Sequence, residues 1–291
     1  MTEFKLGVVG DLHTHWDEVD VAQFDSSNYD LLYFTGDLGG GTPDSTLRIA
    51  RVMSRLRTPA LVMPGNNDTV DINELAAELT HRTGLSRLAS MRAGDDSRQS
   101  PPADVRLCGY STHRISQGAI DLTLLAARPH SMGGPDLAFS DYMQATYGIA
   151  NMQASTERLL ALVDEVQTED LVFLAHNGPT GLGDEPHHMW GCDFKPGGGD
   201  WGDPDLNAAI DYARKCGKRV LAVIAGHMHL RTKSGAERDW YGEVDGTVHL
   251  NAARVPRIYN RDNDVHRHHV SVIVRRGGVE VREVELAQYG A

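Results

Sequence analysis

Residues 60–70 read ALVMPGNNDTV: four apolar residues, then a proline, a glycine and two adjacent asparagines. The apolar run has the character of a short buried strand bounded by a turn signal. Gly and Asn both tolerate positive φ, so the Asn66-Asn67 pair by itself reads as a turn. Whether it is more than a turn depends on how the other strands end.

They end alike. Residues 4–9 lead into Gly10-Asp11-Leu12-His13 and residues 31–35 into Gly36-Asp37. Residues 171–175 lead into His176-Asn177, and 220–225 into Gly226-His227-Met228-His229. Strand-end loops are where α/β sheets place their sites, and most of these open with a glycine that permits a sharp turn. Imidazole and carboxylate are the donors preferred by Zn, Mn, Fe and related metals. The candidates Asp11, His13, Asp37, Asn66, His176, His227 and His229 suit two ions sharing one carboxylate better than a single ion. Each alone reads more simply as a turn or a structural histidine; five strand ends together do not.

Further β-rich runs at 105–110, 247–250, 270–274 and 279–286, with helical spacing between several of the runs, predict an α/β fold. Its expected form is two sheets packed face to face and covered by helices. Thr42-Pro43 and Asp203-Pro204 each put a capping side chain before a proline at the first helical position. The second of these helices should run to about Lys215, and residues 159–166 belong to a third. No internal repeat or linker divides the 291 residues, so one domain spanning 1–291 is expected.

Two segments break the pattern. Residues 92–102 are polar and aperiodic, and residues 178–203 are glycine-rich yet carry two tryptophans and two histidines. A loop longer than ~12–15 residues in a compact domain is usually functional, which makes 178–203 a candidate wall or lid over the site. His187, His188 and Cys192 lack a fourth ligand for another metal. His266, His268 and His269 read as a solvated face beside a strand.

Hydrophobic residues make up 41% and charged residues 23%, as in an ordinary soluble protein. No apolar run approaches the ~20 residues of a membrane span, and the N-terminal residues lack the features of a signal peptide. A cytoplasmic location without a membrane partner is expected. The net charge of −12 argues against duplex nucleic acid. A small phosphorylated substrate stays compatible, because bound metals create local positive charge. Cys108, Cys192 and Cys216 are odd in number and widely spaced, reading as buried small hydrophobes rather than disulfides. Nothing in the sequence sets the oligomeric state.

The blocks GDLH, GD, GNND, HN and GHMH, in that order across residues 10–229, resemble the five motifs of the calcineurin-like metallophosphoesterase family. The resemblance implies a four-layer α/β/β/α sandwich of two mixed sheets flanked by helices. It also implies a dinuclear site for two divalent or trivalent transition-metal ions, Mn, Fe or Zn. By family pattern Asp11, His13 and His229 hold the first ion, Asn66, His176 and His227 the second, and Asp37 bridges. The segments HNGPTGLG, GGGDWGDPDL, ARPHSMGG and LNAARVPR further resemble a subgroup found in cyanobacteria and plant plastids.

Two positions depart from the family pattern. Asn67 stands where most relatives carry a histidine that acts on the leaving group or the phosphate. Gly40 stands where protein phosphatases carry that histidine's orienting aspartate. Their joint loss disfavours alkyl monoesters, whose poor leaving group needs a proton. The implied function is metal-dependent hydrolysis through a bridging hydroxide, at phosphodiesters or activated esters, with Asp37 and Asn67 at the catalytic centre. The alternatives are a phosphomonoesterase or protein phosphatase, and a non-catalytic metal-binding scaffold like a retromer subunit of this fold. Arg128 is a candidate phosphate clamp or a surface ion pair. Asn177 either faces substrate or caps its loop, and His130 of the ARPHS segment is grouped with them as substrate-binding.

Overall fold

A computed structural model describes residues 2–80 and 104–288. The first sheet contains β1 (Glu3–Val9), β2 (Leu31–Phe34), β3 (Ala60–Val62) and β4 (Val105–Leu107), all parallel. It is extended antiparallel by β11 (Ile258–Arg261), β12 (Asp264–Arg275) and β13 (Gly278–Gln288). In the second sheet, β6 (Ile120–Ala126), β7 (Asp170–Leu174), β8 (Arg219–Ala225) and β10 (Thr247–Asn251) run parallel. Its antiparallel edges are β5 (Ser111–Gln117) and β9 (Tyr241–Val244). Both sheets are therefore mixed, as expected.

Alternation along the central strands builds three apolar layers. Leu6, Val8, Tyr33 and Met63 of the first sheet meet Leu122, Leu124, Val172 and Ile224 of the second between the sheets. Val9, Leu32, Phe34 and Val62 point the other way. They pack under α1 (Glu18–Asp25), α2 (Pro43–Met53) and α3 (Ile72–Leu79) through Phe24, Ile49, Met53 and Leu75. On the second sheet, Leu125, Leu171, Phe173 and Val223 are covered mainly by α5 (Met152–Glu165) and α6 (Pro204–Lys215). The short α4 (Ser140–Tyr147) adds Met143 to this layer. Full burial of each large apolar side chain contributes about 1.5–3 kcal/mol. The order helix, sheet, sheet, helix is the four-layer sandwich.

Local chemistry agrees at α2, where Thr42 accepts from the Ser45 N–H and Pro43 is in the first turn. It differs at α6: Pro204 opens the helix, but Asp203 makes no side-chain cap, because its carboxylate is drawn to Arg128 at 2.8 Å. The run 105–110 is not one strand. It stops at Leu107, crosses at Gly109 and resumes at Ser111 in the other sheet.

His266, His268 and His269 are not a solvated face; all three are buried in β12. β12 is paired on both sides, and His269 lies against Phe24 of α1 and bonds the Tyr29 hydroxyl at 2.8 Å. Cys108 and Cys192 are buried, whereas Cys216, at the end of α6, is exposed. The polar segment 92–102 lies outside the described residues. Among those described, no helix is long and apolar enough to cross a membrane.

Candidate metal centre

The parallel strands β1, β2, β3, β7 and β8 deliver their carboxyl ends to one edge of the sandwich. The Tyr33 hydroxyl donates to the Ala175 carbonyl at 2.7 Å, tying the two sheets together beside His176. Backbone bonds lace the loops: the His13 N–H donates to the Asp37 carbonyl and the Gly226 N–H to the His176 carbonyl, each at 2.8 Å.

The glycines before the candidate ligands work partly by size. A Cβ at Gly65 would stand 2.3 Å from Asp37 Oδ1, and one at Gly226 2.3 Å from Asp11 Oδ1. Neither has positive φ, so close approach rather than a sharp turn requires glycine there. Positive φ values fall on Gly36 (116°) and on the candidates His13 (40°), Asp37 (49°) and His227 (70°) themselves. Such conformations cost about 1–3 kcal/mol each and concentrate at functional sites. At His227 the turn aims the backbone N–H at both Asp11 oxygens, each 3.1 Å away.

Two groups of donor atoms result: Asp11 with His13 and His229, and Asp37 with His176 and His227. Within the first, His13 Nε2 and His229 Nε2 are 3.1 Å apart, and His229 Nε2 is 3.9 Å from Asp11 Oδ2. Asn66 Oδ1 joins the second group, 2.9 Å from His176 Nε2. Asp37 faces both, with Oδ2 3.6 Å from His13 Nε2 and Oδ1 3.6 Å from His176 Nε2. Ligands at about 2.0–2.2 Å from one ion stand roughly 3–3.5 Å from each other. The spacing fits a shared cation better than hydrogen bonds between the ligands.

Tautomer chemistry gives the same result. His176 Nδ1 donates to the Thr35 carbonyl at 2.7 Å, a contact that fixes the ring's orientation. In the neutral ring Nε2 is then a lone pair facing Asn66 Oδ1 and Asp37 Oδ1, an arrangement that calls for positive charge at its centre. Burial alone would lower the His176 pKa, but the Asp37 and Asp11 carboxylates raise it above the usual imidazole value. Burial, then the neighbouring His176, pushes His227 down to about 4. Burial also lowers His229, so these rings keep free lone pairs. Asp11, which burial would raise, is held low by His176, His229 and His13. The donor set fits metal ions.

Three of the expected substrate residues are placed elsewhere. Arg128 is neither a phosphate clamp nor a surface pair: it is buried, with Nε 2.9 Å from Asp205 Oδ2 and Nη2 2.8 Å from Asp203 Oδ1. His130 is buried, bonding the Gly65 carbonyl through Nδ1 at 3.0 Å and the Tyr147 hydroxyl through Nε2 at 3.2 Å. It supports the backbone before Asn66 rather than meeting solvent. Asn177 is also buried and donates to the Trp201 carbonyl at 3.0 Å and Asp203 Oδ1 at 3.1 Å, fastening both ends of the 178–203 loop. Asn67 does line the cavity over the donor groups, and its side chain bonds Asp37.

That cavity, about 270 Å³, has walls that the sequence reading missed. Asp193 and Phe194 come from the 178–203 loop, and Arg231 and Lys233 follow His229. The loop is thus a wall through Asp193 and Phe194, while its Trp190 is fully buried in the layer under the helices. Arg238 anchors it, donating to the His188 carbonyl at 2.8 Å, the Gly191 carbonyl at 2.6 Å and the His229 carbonyl at 3.2 Å. The alternation in HMHLRTK, with polar residues at every second position, was the available signal for Arg231 and Lys233.

Two packed mixed sheets with candidate metal ligands at their strand ends define the class, and comparison with known proteins gives the family. The model for the calcineurin-like phosphoesterases matches residues 4–231, and the chain belongs to that family. None of the curated proteins compared with it matches. One solved structure, 9% identical, covers 97% of this chain and 99% of its own with a TM-score of 0.57, which supports the fold. A metallophosphoesterase from Sphaerobacter thermophilus (11% identity, 97% and 88% covered) aligns with a TM-score of only 0.32. Vacuolar Protein Sorting 29 from Cryptosporidium parvum (9% identity, 99% and 100% covered) also scores 0.32, and neither match carries weight here. The family consists generally of phosphoester hydrolases that bind divalent metals.

Proposed function

We propose that the protein hydrolyses phosphoesters at a dinuclear centre, with Asp11, His13 and His229 on one ion, Asn66, His176 and His227 on the other, and Asp37 bridging. The observation that carries this is Asp37, whose two oxygens each lie 3.6 Å from a histidine nitrogen of a different group. When bound, two such cations neutralise a phosphoryl group and lower the pKa of water to about 7. The chain's own part is to fix the donor atoms, exclude competing groups and hold the substrate.

The cavity is near the small end of the ~300–1,000 Å³ range of ligand sites, which favours a small phosphorylated substrate. Among the described residues, its imidazoles are all candidate ligands. The remaining carboxylate, Asp193, pairs with Arg238 at 3.4 Å. With a carboxamide at Asn67, the cavity offers no imidazole outside the candidate ligands and no unpaired carboxyl to protonate an alkoxide leaving group, and the preference is for diesters or activated aryl esters. The likeness to the cyanobacterial and plastid subgroup, and a cytoplasmic location, belong to this reading and do not name the substrate. A panel of aryl diesters, aryl monoesters and alkyl monoesters, assayed with Mn-, Fe- and Zn-loaded protein, tests it. Higher kcat/KM for alkyl monoesters would contradict the preference.

A further inference from the structure

His227, His229, Arg231 and Lys233 alternate with the buried Met228, Leu230 and Thr232. All four of the alternating residues line the same cavity. One short segment therefore presents two candidate metal ligands followed by two cations. Among the described residues neither Arg231 nor Lys233 makes an ion pair. Asp193, the remaining carboxylate of this cavity, accepts from the Lys233 backbone N–H at 2.8 Å and faces Arg238, while Glu237, bridged to Arg231 through the backbone, makes no ion pair with it. Lys233 Nζ instead lies 5.6 Å from the Phe194 ring centroid, and that ring is 42% exposed.

Two unpaired cations in one cavity of a protein with net charge −12 are not explained by solubility or folding. Both side chains are exposed, so packing does not hold them there either. If the ions take the scissile phosphoryl, as the proposed function requires, these cations have no partner until a ligand brings one.

We infer that Arg231 and Lys233 form an anion subsite beside the metal centre, and that the substrate carries a second negative group beyond the scissile phosphoryl. Phe194, whose ring Lys233 Nζ approaches, supplies an apolar face in the same cavity. Arg231 also borders a neighbouring cavity of about 330 Å³, lined by Arg254 and Tyr259, which gives a longer substrate room to continue. The recognised class is a phosphoester with a second anionic substituent on an apolar or aromatic body.

The test is equilibrium binding of two matched, non-hydrolysable probes to metal-loaded protein: phenylphosphonate and 4-carboxyphenylphosphonate. The wild type should bind the carboxylated probe about tenfold more tightly, as one charge-assisted contact provides. In the doubly substituted Arg231→Gln, Lys233→Gln protein the ratio between the two probes should fall to about one, with metal content unchanged. An unchanged probe ratio in the variant overturns the subsite and leaves the metal centre standing. Failure of the loaded wild type to bind phenylphosphonate overturns the proposed function, and the subsite with it.

Discussion

Asn67 holds Asp37 by both of its carboxylate oxygens: the side-chain Nδ2 donates to Oδ2 at 2.7 Å and the backbone N–H to Oδ1 at 2.9 Å. The second asparagine of GNND thus orients the carboxylate that faces both donor groups. Asn67→Ala should lower metal affinity about 10–100-fold, the usual effect of losing a partner of a ligand. Titration of metal-free protein with Mn2+ measures it, and wild-type affinity in the variant would refute the role.

Asn67→His should raise turnover of alkyl monoesters relative to diesters, because imidazole donates a proton and a carboxamide does not. Adding Gly40→Asp should increase the gain, and the site has space for it. A Cβ there meets only Thr14 Cγ2, at 3.6 Å, an ordinary contact. Coupling between the two substitutions, measured at saturating metal as the ratio of monoester to diester kcat/KM, is the readout. Strict additivity would mean that the pair does not act as a unit.

Arg128 neutralises two buried carboxylates, and Ser155 and Ser131 also donate to that pair. Arg128→Met should cost about 3–5 kcal/mol, the penalty for removing one partner of a buried ion cluster. Burial, with Asp205 adding and Arg128 opposing, pushes Asp203 up to about 6 from its ordinary 3.8. The folded chain therefore binds that proton more tightly than the unfolded one, and stability falls as pH rises through the window between them. Removing Arg128 raises the Asp203 pKa further. The deficit in urea unfolding should thus be larger at about pH 8 than at about pH 5; a deficit independent of pH would count against the charge account.

Arg238 and Phe194 separate the loop's anchoring from its contact with substrate. Arg238→Met removes charged donors from three buried or half-buried carbonyls and should cost about 2–4 kcal/mol, with faster proteolysis in 178–203. Phe194→Ala, at an exposed side chain, should stay within about 0.5 kcal/mol in stability while changing KM. Thermal melts and steady-state kinetics of both variants decide this, and the reverse pattern would remove Phe194 from the substrate wall.

The strand-end motifs were legible because ligand chemistry restricts residue type and parallel strands put their ends on one edge. Burial was less legible, since it depends on which distant element covers a residue. His269 looks solvated until α1, some 250 residues earlier in the chain, is seen against it. Arg128 looks like a phosphate clamp because the sequence does not reveal that Asp203 and Asp205, more than 70 positions later, turn toward it. The hairpin of β5 and β6 was hidden by the polar alternation of STHRISQ on an edge strand. Arg231 and Lys233 were readable from their alternation with the ligands, but as bases rather than donors they did not belong to the metal pattern.

The most direct measurement is metal content per chain, by elemental analysis of protein purified without chelator. The account predicts close to two transition-metal ions in the wild type, one in Asp11→Asn, and loss of both in Asp37→Asn, because the two oxygens of Asp37 each face a different donor group. A metal content in Asp37→Asn equal to that of the wild type would contradict it.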